Sequence, residues 1–440
     1  MKKKLLAFGV AGLLVLLVAS IGLAAIEFSV GGDFRTLSYY VANPDLNKDV
    51  GVERSYTEQR LILNPVLKLS DAIQLKMRIR ALDYIWGDNT VPGLTWGPMI
   101  RTDQGEGGSN NFQWDRAWVQ IGLGKYGSIQ IGRQQTDLFH NFSIAEDDTY
   151  PRYHYITPVF DLGKERAIMF GMMYDKRGEG NLDKSFDDSF AWCPWAFFMS
   201  PKLTVGYVCF VWDVAHVGPA GEASNWIMHD AMINATIGPV DIKSEWDYDM
   251  GKMIGSWLDT EHNFEFFVDA GVPIPSPVVN RGSVLVALFS GAKKPEAGKY
   301  FGALGSNEDW VEEWKIDLIL WDQIFNTIHN AWIIRPKIDF VVPNSKFGGF
   351  LSACMSFADQ EAQYNLPAGY PAGYNSGSLP VLTTGTEKTI GTEIDLGVNY
   401  TLGPRQTIEL VLGMLMPGKY FAEDNRDTTI GAGLKTHIRF

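Results

Sequence analysis

Lys76, Arg78 and Arg80 stand two residues apart in the run Ile73-Gln74-Leu75-Lys76-Met77-Arg78-Ile79-Arg80-Ala81, with apolar residues between them. A period of two marks a β-strand, because successive side chains leave opposite faces. The three cations therefore form a column on one face. Arg60 and Lys68 in the alternation before it, and Arg116 in the one after, widen the column into a basic patch. The chemistry of such a patch is electrostatic rather than covalent: fixed cations between low-dielectric walls concentrate a field that attracts anions. Two readings stay open. Either the column lines a path for anionic solutes, or it pairs with carboxylates such as Glu58 and solvates an inner surface.

A second charged constellation follows Gln134, where the segment 136–155 carries His140, Asn141, Glu146, Asp147 and Asp148. Folded inward, its acidic run would face the basic column and create a transverse field at a constriction; left outside, it is a solvated acidic loop. Covalent chemistry has little footing. The 7 His lie outside any G-x-S-x-G or H-E-x-x-H context, and P-loop and dinucleotide fingerprints are absent. No catalytic residue, metal ligand or cofactor is assigned, and the expectation is a protein that is not an enzyme; His229 and His437 read as ordinary wall residues. Of the 3 Cys, Cys193 and Cys209 flank the turn Ser200 to Lys202 almost symmetrically. Directly opposed cysteines lie within disulfide reach; the alternative is two apolar thiols. Cys354 has no evident partner.

The elements that must position these residues follow from composition and spacing. A chain that is 46% hydrophobic and 20% charged is too apolar for disorder, and 3 Cys are too few for a disulfide scaffold. A net charge of −13 argues against a nucleic-acid partner. The 45 Gly, 25 Phe, 17 Tyr and 14 Trp coexist with a mean hydropathy of −0.07, far below that of a helical membrane protein. At the N-terminus, Lys2, Lys3 and Lys4 precede an apolar run from Leu5 to Val18 and the small residues Gly22, Ala24 and Ala25. That pattern predicts a secretory signal peptide over 1–24 rather than an anchor. The remaining 25–440 form a single domain, and loss of the three lysines takes the net charge from −13 to −16. No later stretch is long and apolar enough for a helical span.

Alternation recurs along the whole chain. Ile394, Leu396 and Val398 oppose Glu393, Asp395 and Asn399; Ile242, Trp246 and Tyr248 oppose Asp241, Lys243, Glu245 and Asp247; Phe264, Phe266 and Val268 oppose Glu265 and Asp269. Strands are predicted at 27–40, 54–67, 73–86, 112–123, 127–135, 152–161, 165–176, 188–199, 203–214, 225–237, 240–250, 259–272, 278–290, 328–342, 347–358, 388–402, 405–416 and 427–440. Tight joins such as Gly238-Pro239 and Gly403 to Arg405 alternate with long polar segments such as 87–110, 291–327 and 359–387. Short periplasmic turns alternating with long extracellular loops describe a transmembrane antiparallel β-barrel of about 18 strands, with both termini in the periplasm. The strand 152–161 is the least regular, and losing its hairpin would leave 16. The apolar faces turn outward, the polar faces line the lumen, and Tyr and Trp near strand ends form interfacial girdles. Either long loop, 291–327 or 359–387, is able to plug the barrel; Trp310, Trp314 and Trp321 would give the first a short amphipathic helix whose aromatic stripe reads as packing.

The last strand ends at Phe440, with Ile430, Ala432, Leu434 and Ile438 on the same face. A terminal strand ending in Phe resembles the signal by which outer-membrane barrels engage the barrel-assembly machinery. Gly127-Ser128-Ile129-Gln130-Ile131-Gly132-Arg133-Gln134 resembles the strand before the inward-folded third loop of general porins. Gly391-Thr392-Glu393-Ile394-Asp395-Leu396-Gly397, with Pro417-Gly418-Lys419-Tyr420-Phe421, resembles the closing strands of the alginate-export family of 18-stranded barrels. These resemblances imply a porin of the bacterial outer membrane that passes small hydrophilic solutes passively, favouring anions where the basic column lines the narrowest zone. A selective exporter of an anionic polysaccharide or carboxylate is the alternative within channels, and a non-conducting structural or adhesion barrel the alternative outside them. The expected partners are outer-membrane lipid, lipopolysaccharide held by divalent cations at loop carboxylates, the assembly machinery and, by analogy, two further copies in a homotrimer.

Overall fold

In the computed structural model the described residues are 26–49, 51, 53–85, 112–135, 149–178, 189–214, 224–252, 262–290, 316–325, 328, 330–359 and 387–440. They build one antiparallel sheet of β1 (Glu27–Ala42), β2 (Glu53–Lys68), β3 (Ile73–Ile85), β4 (Phe112–Gly122), β5 (Ser128–Gln135), β6 (Thr149–Ile156), β7 (Phe160–Gly163), β8 (Arg166–Gly178), β9 (Ser189–Ser200) and β10 (Leu203–Val214). The sheet continues through β11 (Ser224–Ile237), β12 (Val240–Lys252), β13 (His262–Pro273), β14 (Val279–Phe289), β15 (Ala331–Val341), β16 (Phe347–Ala358), β17 (Thr389–Gly403), β18 (Gln406–Pro417) and β19 (Thr429–Arg439). Each strand pairs with its sequence neighbours, and β19 pairs back onto β1, so the sheet closes. The short strands β6 and β7 both lie against β8 and form one wall strand interrupted at 157–159. The 19 segments therefore make an 18-stranded barrel, and the least regular predicted strand is the interrupted one.

Closure answers a requirement that lipid imposes: no water is present to satisfy an open edge of peptide groups. The seam is complete to its last residue, with Gly32 and Phe440 exchanging two backbone hydrogen bonds of 3.0 Å. A side chain at position 32 would meet the carbonyl oxygen of Ile62 at 2.2 Å, so the seam needs glycine there. Outward positions carry Ile394, Leu396 and Val398 on β17 and Leu410, Leu412 and Met414 on β18, all exposed at the barrel surface. On a soluble protein so continuous an apolar band would be an aggregation surface; here it is the lipid-facing belt. No described helix is long and apolar enough to cross a membrane.

The interior departs from the expected wet face in two sectors, and the larger is built around a returning connection. Leu37, Tyr39 and Val41 of β1, Ala287 and Phe289 of β14, Ile333 of β15 and Val411 and Leu415 of β18 are buried in one apolar cluster inside the wall. The cluster is completed by Ile316, Leu318, Ile319, Leu320, Trp321 and Ile324, from the connection between β14 and β15. That connection is the loop 291–327. Its end returns into the barrel as a turn of π geometry over Leu320–Phe325, closed by the Ile324 amide donating to the Ile319 carbonyl at 2.9 Å. Trp310 and Trp314 lie outside the described residues, so of the expected amphipathic helix only the turn around Trp321 is seen.

Register decides the cysteine question. The pairs Val208↔Trp195 and Val211↔Trp192 leave Cys193 level with Phe210 and Cys209 level with Pro194. Cys193 faces the interior beside Met173, whereas Cys209 shares the outer face with Tyr207, because a slip of one residue moves a side chain through the sheet. None of the three cysteines is in a disulfide. Denatured without reductant, the protein is expected to take up three thiol-specific labels per chain; a count of one would reveal a Cys193–Cys209 bridge.

Candidate pore-lining site

The pleat that carries apolar residues outward on β1 to β4 carries cations inward. Arg35 of β1 stands directly across from Arg60 of β2, and Arg78 of β3 directly across from Arg116 of β4. Arg80 and Lys76 extend the column along β3, and Arg54 continues it on β2 beside Val41. Directly opposed like charges weaken a strand pair, so these guanidinium pairs need anionic company to persist. They have company. Arg35, Arg54, Arg60, Arg78, Arg80 and Arg116 all engage neighbours, as does Glu58, the inward residue two places before Arg60. Arg78, Arg80 and Arg116 are 9%, 2% and 6% exposed, which makes the column a packed charged wall rather than a row of freely solvated side chains. Arg60 and Lys76 are half-buried. Lys68 stands at the short-turn rim, 2.9 Å from Asp71 and 3.6 Å from Glu27.

A mirror image of this wall stands across the lumen. Asp230 of β11 faces Asp247 of β12, which faces Glu265 of β13, so three carboxylates form one row across three strands. Glu245 adds a fourth beside Met232. All four are buried and engaged. Counted around the closed sheet, with β6 and β7 as one strand, β3 and β12 lie eight wall strands apart one way and ten the other, so the two walls confront each other. Between them on one side run Gln130 and Gln134 of β5. Beyond these, Arg152 of β6 is locked to Asp175 of β8 by Nε–Oδ1 and Nη2–Oδ2 contacts of 2.5 and 2.6 Å, at zero side-chain exposure. Next comes an apolar stretch of Met173, Cys193, Trp195, Val208, Phe210, Met228 and Met232, in which the Trp195 indole N–H donates to His154 Nε2 at 2.9 Å.

On the remaining side the inward turn fills the lumen. The Glu393 carboxylate on β17 receives three consecutive backbone amides, those of Leu318 and Ile319 at Oε1 (2.9 and 2.8 Å) and that of Leu320 at Oε2 (2.9 Å). Asp317 caps the turn from within by accepting the Trp321 amide at 2.9 Å, and the Trp321 indole donates to Ser356 Oγ of β16 at 3.1 Å. Gly413 of β18 and Gly431 of β19 pair with each other and leave the hollow that Ile319 occupies; a Cβ on Gly431 would lie 3.0 Å from the Ile319 side chain. Burial, reinforced by the neighbouring Asp395, pushes the Asp317 carboxyl up to about 7.

No family model matches the chain, and no curated protein matches it. Among solved structures, the outer-membrane protein OpdK of Pseudomonas aeruginosa aligns over 94% of this chain and 98% of its own, at 9% identity and a TM-score of 0.50. The same protein solved with vanillate aligns at a TM-score of 0.48 and 9% identity, covering 94% and 98%. An anion-selective porin from Comamonas acidovorans aligns over 94% of this chain and all of its own, at 13% identity and a TM-score of 0.44. This chain shares the fold of the outer-membrane protein OpdK, here a closed antiparallel β-barrel.

The chain is a bacterial outer-membrane barrel, with lipid against its apolar belt. Of the residues singled out from the sequence, Arg60, Lys76, Arg78, Arg80 and Arg116 all come together on one inner wall. Glu146, Asp147 and Asp148 lie outside the described residues. A wall of carboxylates stands on β11 to β13, across from the cations. Asp247 and Glu265 had already separated onto a polar face by alternation; their alignment with Asp230 required the register between strands. Asp230 itself sits between Met228 and Met232 on the same inward face, so no alternation marked it. The seat of the inward turn, Glu393 with Gly413 and Gly431, was equally hidden. Gly413→Val or Gly431→Val should crowd Ile319 off the wall at an overpacking cost of about 1–3 kcal/mol. Hydrogen exchange at the Leu318, Ile319 and Leu320 amides is then expected to quicken by about tenfold, the equivalent of about 1.4 kcal/mol; unchanged exchange would mean that the two glycines do not seat the turn.

Proposed function

We propose that this barrel is a passive channel for small hydrophilic solutes in which the guanidinium wall favours anions. The observation that carries the reading is the two pairs of directly opposed arginines, Arg35 with Arg60 and Arg78 with Arg116, on the wall across from the carboxylate row of Asp230, Asp247 and Glu265. Each row is unfavourable by itself, so each stabilises a counter-charge that comes within reach. An anion moving along β1 to β4 passes from one guanidinium to the next, while the opposite wall repels it toward that track. The half-buried Arg60 and Lys76 are the most accessible points of entry to the track. Catalysis has no part in this reading: the cations act through their field, and the neutral acceptor His154 Nε2 is occupied by Trp195.

The same reading includes a leader over 1–24 that is removed on export, and an assembly role for Phe440. Phe440 is half exposed at the seam, with its backbone already paired to Gly32. Lipopolysaccharide contact through loop carboxylates and a homotrimeric assembly complete it as proposals. Planar-bilayer recording tests the channel. Under a salt gradient the reversal potential is expected to favour anions, and replacing Lys76, Arg78 and Arg80 together by Gln should lower the anion-to-cation permeability ratio by about tenfold, as a barrier change of about 1.4 kcal/mol implies. An unchanged ratio would show that the column does not line the path. Passage of a polyuronate in preference to small anions would instead support the polysaccharide-export alternative, and a barrel with no conductance the structural one.

A further inference from the structure

We propose that Glu393 and Asp317 are positioning residues for the constriction, and that a proton held in their cluster keeps the inward turn seated on the wall and the lumen narrow. This rests on the reading of the protein as a channel. The geometry has three parts. First, the main chain of the turn is tied to the wall chiefly through one carboxylate, since Glu393 receives the amides of Leu318, Ile319 and Leu320, beside the side-chain tie of Trp321 to Ser356. Second, that carboxylate is not isolated: Asp317 on the turn and Asp395 on β17, two residues along the same inward face, bring three carboxyl groups together at 0–1% exposure. Third, oxygens in the cluster lack hydrogen bonds. Asp317 Oδ2 and both carboxyl oxygens of Asp395 are buried with no hydrogen bond of ordinary geometry, and Asp395 lies against the Glu393 carboxyl itself.

Charge balance then points to protons. The groups facing Asp317 are Asp395 and Glu393 from β17, the Arg335 guanidinium from β15 and the Cys354 thiol from β16. The adjoining positions on β18 and β19 are Gly413 and Gly431, which bring no charge. Three carboxylates against one guanidinium leave two negative charges in excess if all are ionised, and a buried excess of that kind is relieved by protonation. Among the described residues no group of three acidic, His or Cys side chains is arranged to hold a metal ion.

The sign follows from linkage. Asp317 binds its proton up to about 7 when the turn is seated, against an ordinary value of 3.8, so the seated form holds more protons than the released one. Protonation therefore favours seating fully below the ordinary value, and the benefit fades as pH rises through about 7. At acidic pH the turn stays against Gly413 and Gly431; at alkaline pH Asp317 ionises beside the other carboxyl groups, the turn loosens and the lumen widens.

Two independent measurements test this. In planar bilayers the single-channel conductance is expected to step up between pH 6 and pH 9. Asp317→Asn retains a carbonyl oxygen for the Trp321 amide but cannot ionise, and is expected to hold the low level throughout. Glu393→Ala removes the tie and is expected to give the high level throughout. In the folded protein carrying Ile319→Cys, iodoacetamide labelling at position 319, read by peptide mass and normalised to a free thiol at each pH, should rise by about tenfold from pH 6 to pH 9. The rise should vanish when Asp317→Asn is added. Equal normalised labelling at the two pH values, or an unaltered response in the Asp317→Asn chain, overturns the proposal. A barrel without conductance that still shows the labelling response would sink the channel reading and leave the proton-held turn standing.

Discussion

A peptide group in lipid has no water to bond to, and the rest of this structure depends on how the chain meets that constraint. The sheet closes through β1 and β19, and closure extends to the terminal residue, where Phe440 and Gly32 exchange their amides. Once the sheet is closed, the two faces of every strand acquire different solvents. Ile394, Leu396 and Val398 face lipid because Glu393, Asp395 and Gly397 face inward, and a slip of one residue would reverse all of them. The cysteines illustrate how strictly this operates: Cys193 and Cys209 sit nearly symmetrically about their turn, yet the actual register sends one to the interior and the other to the lipid face.

Inside the barrel the lack of room to retreat makes like charges tolerable only in opposition. Arginines directly across from arginines, and carboxylates directly across from carboxylates, are poor local pairings. They persist as two walls roughly half the barrel apart, each buried and each engaged by neighbours. The third sector is filled differently, by an apolar core around a returning segment. There the only polar requirement is that the amides of the turn find acceptors, and Glu393 meets three of them at once. Burying that carboxylate beside Asp317 and Asp395 concentrates charge in a small volume, the usual circumstance in which a protein holds a proton at neutral pH.

Much of the wall was legible from the residues alone, because alternation, turn chemistry and the spacing of short and long joins are local. The predicted strand 203–214 coincides with β10, 347–358 with β16, and 152–161 straddles the interrupted pair β6 and β7. The basic column was legible for the same reason: Lys76, Arg78 and Arg80 share a face whatever lies beside them. Asp230 was not, since both faces of β11 carry apolar residues and only pairing with Asp247 gives it a role. The inward core was not legible either. Leu37, Val41, Val411 and Leu415 read as residues of a half-buried strand, and nothing local distinguishes an inner apolar face from an outer one when a loop covers it.

The sequence by itself therefore narrowed the strand count to 18 or 16 and determined the alternation of faces and the identity of the cations that share one wall, all of which depend on neighbours two to about ten residues apart. Tertiary structure decided which walls confront each other and which loop turns inward. Those relations join residues far apart in the chain: Asp317 with Asp395, Ile319 with Gly431, Arg78 with the carboxylates of β11 to β13 across the lumen. Closure sets the distances between them, and closure is a property of the whole sheet rather than of any segment.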